Sequence, residues 1–188
     1  AEEILDYTGK WEQKLDWARL EWVTRKSTRF LDNVIDANKY ATPEIEEMTK
    51  STRKIGLGVM GFADLLIQMK IPYDSEEARK VGEVIMEKIK LWADSESINL
   101  ARERGVFPAW ANSTYSIPFN EVASQKFRNH CRLTVAPTGT ISMIADTSSG
   151  IEPTFALAWK KQNILEGKTL NYVNKYFEAD AKKYSFYS

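Results

Sequence analysis

The stretch Arg132-Leu133-Thr134-Val135-Ala136-Pro137-Thr138-Gly139-Thr140-Ile141-Ser142 carries the pattern that decides the fold. Residues 132–136 alternate in polarity and include β-branched side chains, which predicts a strand. The proline and the turn residues that follow predict a loop, and residues 144–145 continue it as a helical turn. A strand that feeds this loop and then a helix leaves free backbone N–H groups at the helix start.

The loop after this strand has the composition of a phosphate-binding site. It consists of Pro137, Thr138, Gly139, Thr140, Ile141 and Ser142, and is called the 137–142 loop below. Backbone N–H groups at a helix start attract anions, a glycine lets a phosphate approach closely, and hydroxyl groups can donate to its oxygens. The loop has no lysine, so it is not a Walker A loop and would position a diphosphate or triphosphate. On these residues alone, a proline-started helix capped by threonines explains the pattern equally well.

The rest of the chain is predicted to be mainly helical. One helix spans residues 11–38, with Leu20, Val23, Phe30, Leu31, Val34 and Ile35 on its buried face. Thr42 and Pro43 begin a second helix, which runs to Lys50, and a third covers residues 62–69. Asp74 caps a long helix that Gly105 ends. Shorter helices are expected at 121–127 and 173–183, with a β-hairpin over 155–170 that turns at 166–167.

Glycines alternate with apolar residues in the segment Lys54-Ile55-Gly56-Leu57-Gly58-Val59-Met60-Gly61. This pattern predicts a short buried strand or tight turn that another backbone approaches closely. The segment also matches the dinucleotide-binding pattern G-x-G-x-x-G, but no acidic residue ending a second strand follows about 20 residues later. Close packing of the following helix therefore explains the glycines better.

The composition excludes several classes of protein and of functional site. A chain of 188 residues forms one domain or a large piece of one, and its 26 basic and 26 acidic residues give no global field for nucleic acid or a membrane. It has no membrane-length apolar run and no signal peptide, so a cytoplasmic location is expected. The single Cys131 and single His130 exclude an intrachain disulfide and disfavour zinc or a Ser-His-Asp triad. His130 is expected to be a packed or surface residue and Cys131 a small buried hydrophobe, and no metal site is predicted.

Four ordered blocks resemble the catalytic subunit of ribonucleotide reductases. They cover residues 29–36 (RFLDNVID), 53–64 (RKIGLGVMGFAD), 136–142 (APTGTIS) and 148–153 (SSGIEP). The Pro-Thr-Gly-Thr form of the loop and the first block are most similar to the adenosylcobalamin-dependent (class II) branch. The resemblance implies a ten-stranded α/β barrel made of two parallel half-barrels. Residues 1–188 would be a C-terminal fragment of it, helix-rich with a few strands and a late β-hairpin.

The resemblance also implies a function. The parent enzyme would reduce ribonucleoside diphosphates to deoxyribonucleotides by cysteine thiyl radical chemistry, using adenosylcobalamin and thioredoxin or glutaredoxin as reductant. It would act as a homodimer. The 137–142 loop would bind the substrate diphosphate, through hydroxyl groups of Thr138, Thr140 and Ser142 and backbone N–H groups of Gly139 and Ile141. Residues 148–153 would shape the turn behind the loop, with Glu152 structural.

No catalytic residue is expected in this segment. The family's chemistry needs several cysteines and an Asn-x-Cys-x-Glu finger loop, and Cys131 matches none of these positions. The chain would therefore act only with the remainder of the same catalytic subunit, which would bind the cobalamin, and would be inactive alone. Two alternatives stay open: the large subunit of a class I, metal-radical enzyme with two kinds of subunit, and a non-catalytic nucleotide-binding module.

Overall fold

The computed structural model describes residues 11–117, 124–164 and 168–185. Its α-helices are α1 (Trp17–Ala37), α2 (Pro43–Thr52), α3 (Phe62–Met69), α4 (Glu76–Arg104), α5 (Gly139–Ile144) and α6 (Lys175–Lys183). Short 3₁₀ helices lie at Pro108–Asn112 and Thr114–Ser116. Strands β1 (Ala158–Ile164) and β2 (Lys168–Val173) pair antiparallel. In these ranges the protein is therefore rich in helix, and no helix there is long and apolar enough to cross a membrane.

The chain divides into two compact units, which are described separately. The first unit comprises Ala1–Gly58 and Gly82–Val135. The second unit comprises Val59–Val81 and Ala136–Ser188, and it contains the 137–142 loop.

Several helix boundaries follow from local sequence as predicted. The Thr42 hydroxyl accepts a hydrogen bond from the Ile45 N–H at 3.4 Å, and Pro43 occupies the first turn of α2. The predicted helix over 62–69 is confirmed as α3, and Gly105 ends α4 with φ of 85°. The predicted Asp74 cap is wrong, because the Ser75 hydroxyl, directly before α4, accepts from the Ala78 N–H at 3.1 Å.

The predicted buried face of α1 is largely wrong. Phe30 is 64% exposed, and Val23 and Val34 are also exposed, although Ile35 is buried. The buried side of α1 instead carries Thr24, Thr28 and Asp32. The helix turns this polar side inward because Asp32 has charged and amide partners in the core of the first unit.

Asp32 lies at the centre of a buried polar network in the first unit. Its side chain is fully buried, and Oδ1 accepts hydrogen bonds from Arg53 Nε and Asn129 Nδ2, both at 2.9 Å. Its Oδ2 accepts one from Arg104 at 3.1 Å. Asn129, also fully buried, accepts from the Ser97 hydroxyl at 2.9 Å. Burial of a charge is tolerated here because each carboxylate oxygen has a cationic partner.

The predicted strand at 132–136 is reduced to a single parallel bridge between Leu57 and Leu133. The Leu57 N–H donates to the Arg132 carbonyl at 2.9 Å, and the Thr134 N–H donates to the Leu57 carbonyl at 3.0 Å. These bonds are too few for a ladder, and Pro137 has no N–H with which to extend it. The strand prediction is therefore wrong for these residues.

The glycines of residues 54–61 do mark a close backbone approach, as predicted. A Cβ on Gly58 would lie 2.5 Å from the Thr134 carbonyl oxygen. Gly61 has φ of 82°, and a Cβ there would lie 2.5 Å from the Thr147 hydroxyl. The explanation by packing of the following helix is wrong, since the close neighbours are Thr134 and Thr147 rather than α3.

Two further predictions concern loops. Residues 124–127 are not helical, because the Gln125 N–H donates to the Tyr115 carbonyl and the Phe127 carbonyl accepts from Phe107; residues 121–123 lie outside the described part. Strands β1 and β2 pair from Ala158 opposite Val173 to Ile164 opposite Lys168. The predicted hairpin turn at 166–167 lies outside the described residues. The final helix begins at Lys175, after an Asn174 cap.

Candidate functional site

The 137–142 loop passes directly into α5, so the helix begins inside the loop. Thr138 adopts a left-handed conformation, with φ of 56°, and serves as the N-cap residue. The first helical hydrogen bond runs from the Ser142 N–H to the Thr138 carbonyl at 3.0 Å. The N–H groups of Gly139, Thr140 and Ile141 precede it and have no acceptor within the helix. Within the described residues, no side chain caps these donors.

The outer side of the loop is open. Apart from its chain neighbours and the backbone of α5 itself, a Cβ built on Gly139 would have no atom of the described residues within 4 Å. Pro137 and Thr140 are exposed, and Ile141 is 53% exposed. Thr140 therefore presents a hydroxyl group beside the three free N–H groups, and the Gly139 backbone can be approached without displacing protein atoms.

Ser142 and Thr138 instead bind the turn behind the loop. Ser142 is only 2% exposed, and its hydroxyl lies 2.9 Å from the Ser149 hydroxyl and donates to the Gly139 carbonyl at 3.2 Å. The Thr138 hydroxyl accepts from the Gly150 N–H at 2.8 Å. Ser149 and Gly150 thus support the loop from behind, in the place that the family resemblance gave to residues 148–153.

Asp64, on α3, organises this turn in the second unit. Its carboxylate accepts from the Ser148 N–H at 2.7 Å, the Thr147 hydroxyl at 3.1 Å and the Asn174 amide at 3.0 Å. Asp64 is 6% exposed. Sequence reasoning did not single it out, because an acid in the first turn of a helix is an ordinary feature of helix starts.

A cleft of about 630 Å³ lies beside the loop, and all of its lining residues belong to the second unit. Gly139 and Ser142 line it together with Glu152, Phe155 and Lys175. Phe155 is 89% exposed. The Lys175 amine donates to the Asp146 carboxylate at 2.6 Å, and this hydrogen bond raises the pKa of Lys175. Glu152, predicted to be structural, is half-buried in the cleft wall. The cleft has the size of a small-molecule site.

The described residues do not supply a metal site. Among them, no group of three or more His, Cys, Asp or Glu side chains could hold an ion. His130 packs edge-on against Phe107, with ring centroids 5.5 Å apart, and against Tyr115. Burial, followed by the nearby charges of Lys54 and Arg132, lowers its pKa. Cys131 is exposed, with its sulfur 3.2 Å from His130 Nδ1. His130 is therefore packed, as predicted, whereas the expected burial of Cys131 is wrong, because its side chain lies at the surface.

Comparison with known proteins identifies the family. The family model described as the barrel domain of ribonucleotide reductase matches residues 3–187. The chain belongs to this family. A vitamin B12-dependent ribonucleoside-diphosphate reductase of Thermoplasma acidophilum is 49% identical over 94% of the chain, and one of Mycobacterium tuberculosis is 46% identical over 93%. A ribonucleoside-diphosphate reductase subunit alpha of Chlamydia trachomatis is 32% identical over 80% of the chain.

Membership of the ribonucleotide reductase family agrees with the resemblance found in the four sequence blocks. The chain spans 22% of the Thermoplasma relative's length and 24% of the Mycobacterium relative's length. The family name also agrees with an α/β barrel, although the described residues contribute mainly helices to it.

Proposed function

We propose that this chain is part of an adenosylcobalamin-dependent ribonucleoside-diphosphate reductase and that its 137–142 loop binds the substrate diphosphate. Family membership supports the reaction class. The cobalamin-dependent branch is favoured because the relatives named for vitamin B12 are 46–49% identical to the chain, against 32% for the Chlamydia alpha subunit. The enzyme would convert ribonucleoside diphosphates to deoxyribonucleotides through a cysteine thiyl radical, and we assign no catalytic residue to this chain.

The open space at Gly139 is the observation that carries the loop assignment. A glycine is commonly explained by a positive φ or by a close neighbour, and Gly139 has neither among the described residues. The space on its outer side adjoins the free N–H groups of Gly139, Thr140 and Ile141. A ligand phosphate would use that space and accept hydrogen bonds from those groups.

The geometry gives the loop's side chains different roles in this proposal. Thr140 is exposed and would donate its hydroxyl directly to a phosphate oxygen. Ser142 is buried against Ser149, so it would hold the helix start in place rather than contact the ligand. Thr138 would set the entry angle of the loop through its bond with Gly150. Pro137 would fix the chain direction before Thr138.

Adenosylcobalamin would supply the radical that starts the reaction when it is bound to the full enzyme. Cobalamin brings its own corrin nitrogens to the cobalt, so a protein could add at most one imidazole, and His130, the sole imidazole of the chain, is packed edge-on against Phe107 and Tyr115 instead. We therefore assign its contacts to the remainder of the same catalytic subunit.

The full enzyme would also have the other features that the family resemblance implies. Residues 1–188 would form a C-terminal part of a ten-stranded α/β barrel made of two parallel half-barrels, and the parallel Leu57–Leu133 bridge is consistent with a pair of neighbouring strands in one half-barrel. The late β-hairpin would be β1 and β2. The reductant would be thioredoxin or glutaredoxin, the enzyme would be a homodimer, and it would act in the cytoplasm.

Replacing Gly139 by Ala in the enzyme that contains this chain tests the loop assignment. The new methyl group meets no described protein atom, and alanine favours helix over glycine by roughly 0.5–1 kcal/mol, so the melting temperature should not fall. The methyl group would occupy the phosphate's space. Loss of one hydrogen bond to a charged phosphate, worth about 1.5–3 kcal/mol, should raise KM for the diphosphate substrate about 10- to 150-fold. Thr140→Ala should raise it about tenfold.

Gly105→Ala is the matched control. Gly105 also has open space around it, but its φ of 85° strains an alanine. This variant should lower the melting temperature and leave KM unchanged. A Gly139→Ala enzyme with the wild-type KM for all four common ribonucleoside diphosphates would contradict the assignment.

A further inference from the structure

The geometry points to Asp64 as a positioning residue that holds the 137–142 loop in its phosphate-binding conformation; this inference rests on the proposed function of that loop. Asp64 is a buried carboxylate that lines the inner wall of the cleft beside the loop, and the hydrogen bonds of its carboxylate go to the turn and to Asn174. Asp64 is not one of the residues of the 137–142 loop. Its influence would pass through the turn at residues 147–150.

The contacts of Asp64 join three segments of the second unit. Its carboxylate accepts from Thr147 and Ser148, and its own N–H donates to the Ser148 hydroxyl at 3.3 Å. The Gly61 N–H donates to the Ser148 carbonyl at 2.8 Å, so Ser148 is held at its amide, hydroxyl and carbonyl groups. The third partner of the carboxylate is the amide of Asn174, which also caps α6.

The residues after Ser148 pass this constraint to the loop. Ser149 binds the buried hydroxyl of Ser142, and the Gly150 N–H binds Thr138. Gly150 lies close against the chain before the loop, since a Cβ there would lie 2.8 Å from the Ala136 carbonyl oxygen. The turn therefore contacts the loop at the residue before its free N–H groups and again at the residue after them.

The bonding pattern requires an acceptor at both Asp64 oxygens. Oδ2 faces the Ser148 N–H and the Thr147 hydroxyl, and Oδ1 faces the Asn174 amide hydrogen atoms. Asparagine has the same shape, but it places an NH₂ group against one of these donors. Asp64→Asn should therefore release either the 147–148 turn or Asn174 while keeping the volume of the side chain.

Two variants in the full enzyme separate positioning from folding. Asp64→Asn should raise KM for CDP about tenfold, with kcat within about twofold of wild type, because the loop's donors are no longer held in place. Inorganic pyrophosphate serves as a competitive probe of the same site, and its inhibition constant should rise by a similar factor. Asp180→Asn is the control: it breaks the ion pair between Asp180 on α6 and Lys70, the residue after α3, but touches neither the turn nor the loop. It should leave KM unchanged.

A double variant shows whether Asp64 acts through the loop. In a Gly139→Ala background, where the phosphate site is already blocked, Asp64→Asn should add less than about twofold to KM. A tenfold further increase would overturn the inference, as would an Asp64→Asn enzyme that melts earlier with unchanged KM. If Gly139→Ala raises KM but Asp64→Asn does not, the positioning role fails while the proposed function stands. If Gly139→Ala leaves KM unchanged, the proposed function fails, and the positioning role fails with it.

Discussion

Replacing Asp32 by Asn keeps the shape of the side chain but removes the charge at the centre of the buried network. Arg53, which is 4% exposed, would lose the buried negative charge that lies 2.9 Å from its Nε. Arg53 keeps a second carboxylate, because its Nη1 and Nη2 donate to Asp36 at 2.8 and 2.9 Å. Breaking a buried pair by removing one partner costs about 3–5 kcal/mol, and we expect the lower end because Asp36 remains.

Asp36→Asn is the matched control within the same network. The Asp36 side chain is 52% exposed, so water can replace it as a partner of Arg53. The Arg53 hydrogen bond lowers the pKa of Asp36, and the cost of its loss should be about 1 kcal/mol or less, since solvent screens an exposed pair. Although the two substitutions are chemically identical, Asp32→Asn should therefore lower the free energy of unfolding about three times as much as Asp36→Asn, or more.

Urea unfolding followed by tryptophan fluorescence measures this contrast. Five of the six tryptophans belong to the first unit, so the transition reports mainly on the unit that contains Asp32 (Trp11, Trp17, Trp22, Trp92 and Trp110). For a chain of this size, about 3 kcal/mol corresponds to a fall of roughly 6–12 °C in melting temperature. Equal losses for Asp32→Asn and Asp36→Asn would refute the reasoning that burial makes the Asp32 charge essential.

Two other predictions concern the first unit. Gly58→Ala should lower stability by about 1–3 kcal/mol, since its Cβ would lie 2.5 Å from a backbone oxygen that cannot rotate away; an unchanged melting temperature would contradict the close approach to Thr134. Because the pKa of His130 is lowered in the folded state, the unfolded chain binds more protons below a pH of about 6.5. The free energy of unfolding should therefore decrease as the pH falls through that value. His130→Phe keeps the ring packing and should reduce this dependence of the free energy of unfolding on pH. If urea unfolding at several pH values gives the same dependence in the variant, this prediction is contradicted.

Local signals in the sequence were sufficient for some parts of the fold. Thr42 and Pro43 predict the start of α2, and Gly105 predicts the end of α4, because caps act over a few residues. The loop residues were also found locally, from the run of hydroxyl groups around Gly139. Their role in phosphate binding remains a prediction.

Features that depend on distant partners were not predictable in this way. Asp32 turns a polar side of α1 inward because it binds residues 21 and 97 positions away. The partners of Asp64 lie 83 to 110 positions away along the chain. A periodicity that counts only apolar residues therefore selects the wrong face of α1 and passes over Asp64.

The two kinds of glycine in this chain imply two kinds of selective pressure. At Gly58 the fold itself would reject a side chain, so every descendant that folds in this way would retain glycine whether or not it binds a nucleotide. At Gly139 the fold would accept alanine, and under the proposed function a bound phosphate would penalise it. A lineage that lost the binding role would therefore drift at position 139 while keeping position 58. That difference would mark inactive copies of the barrel in genome sequences before any assay is made.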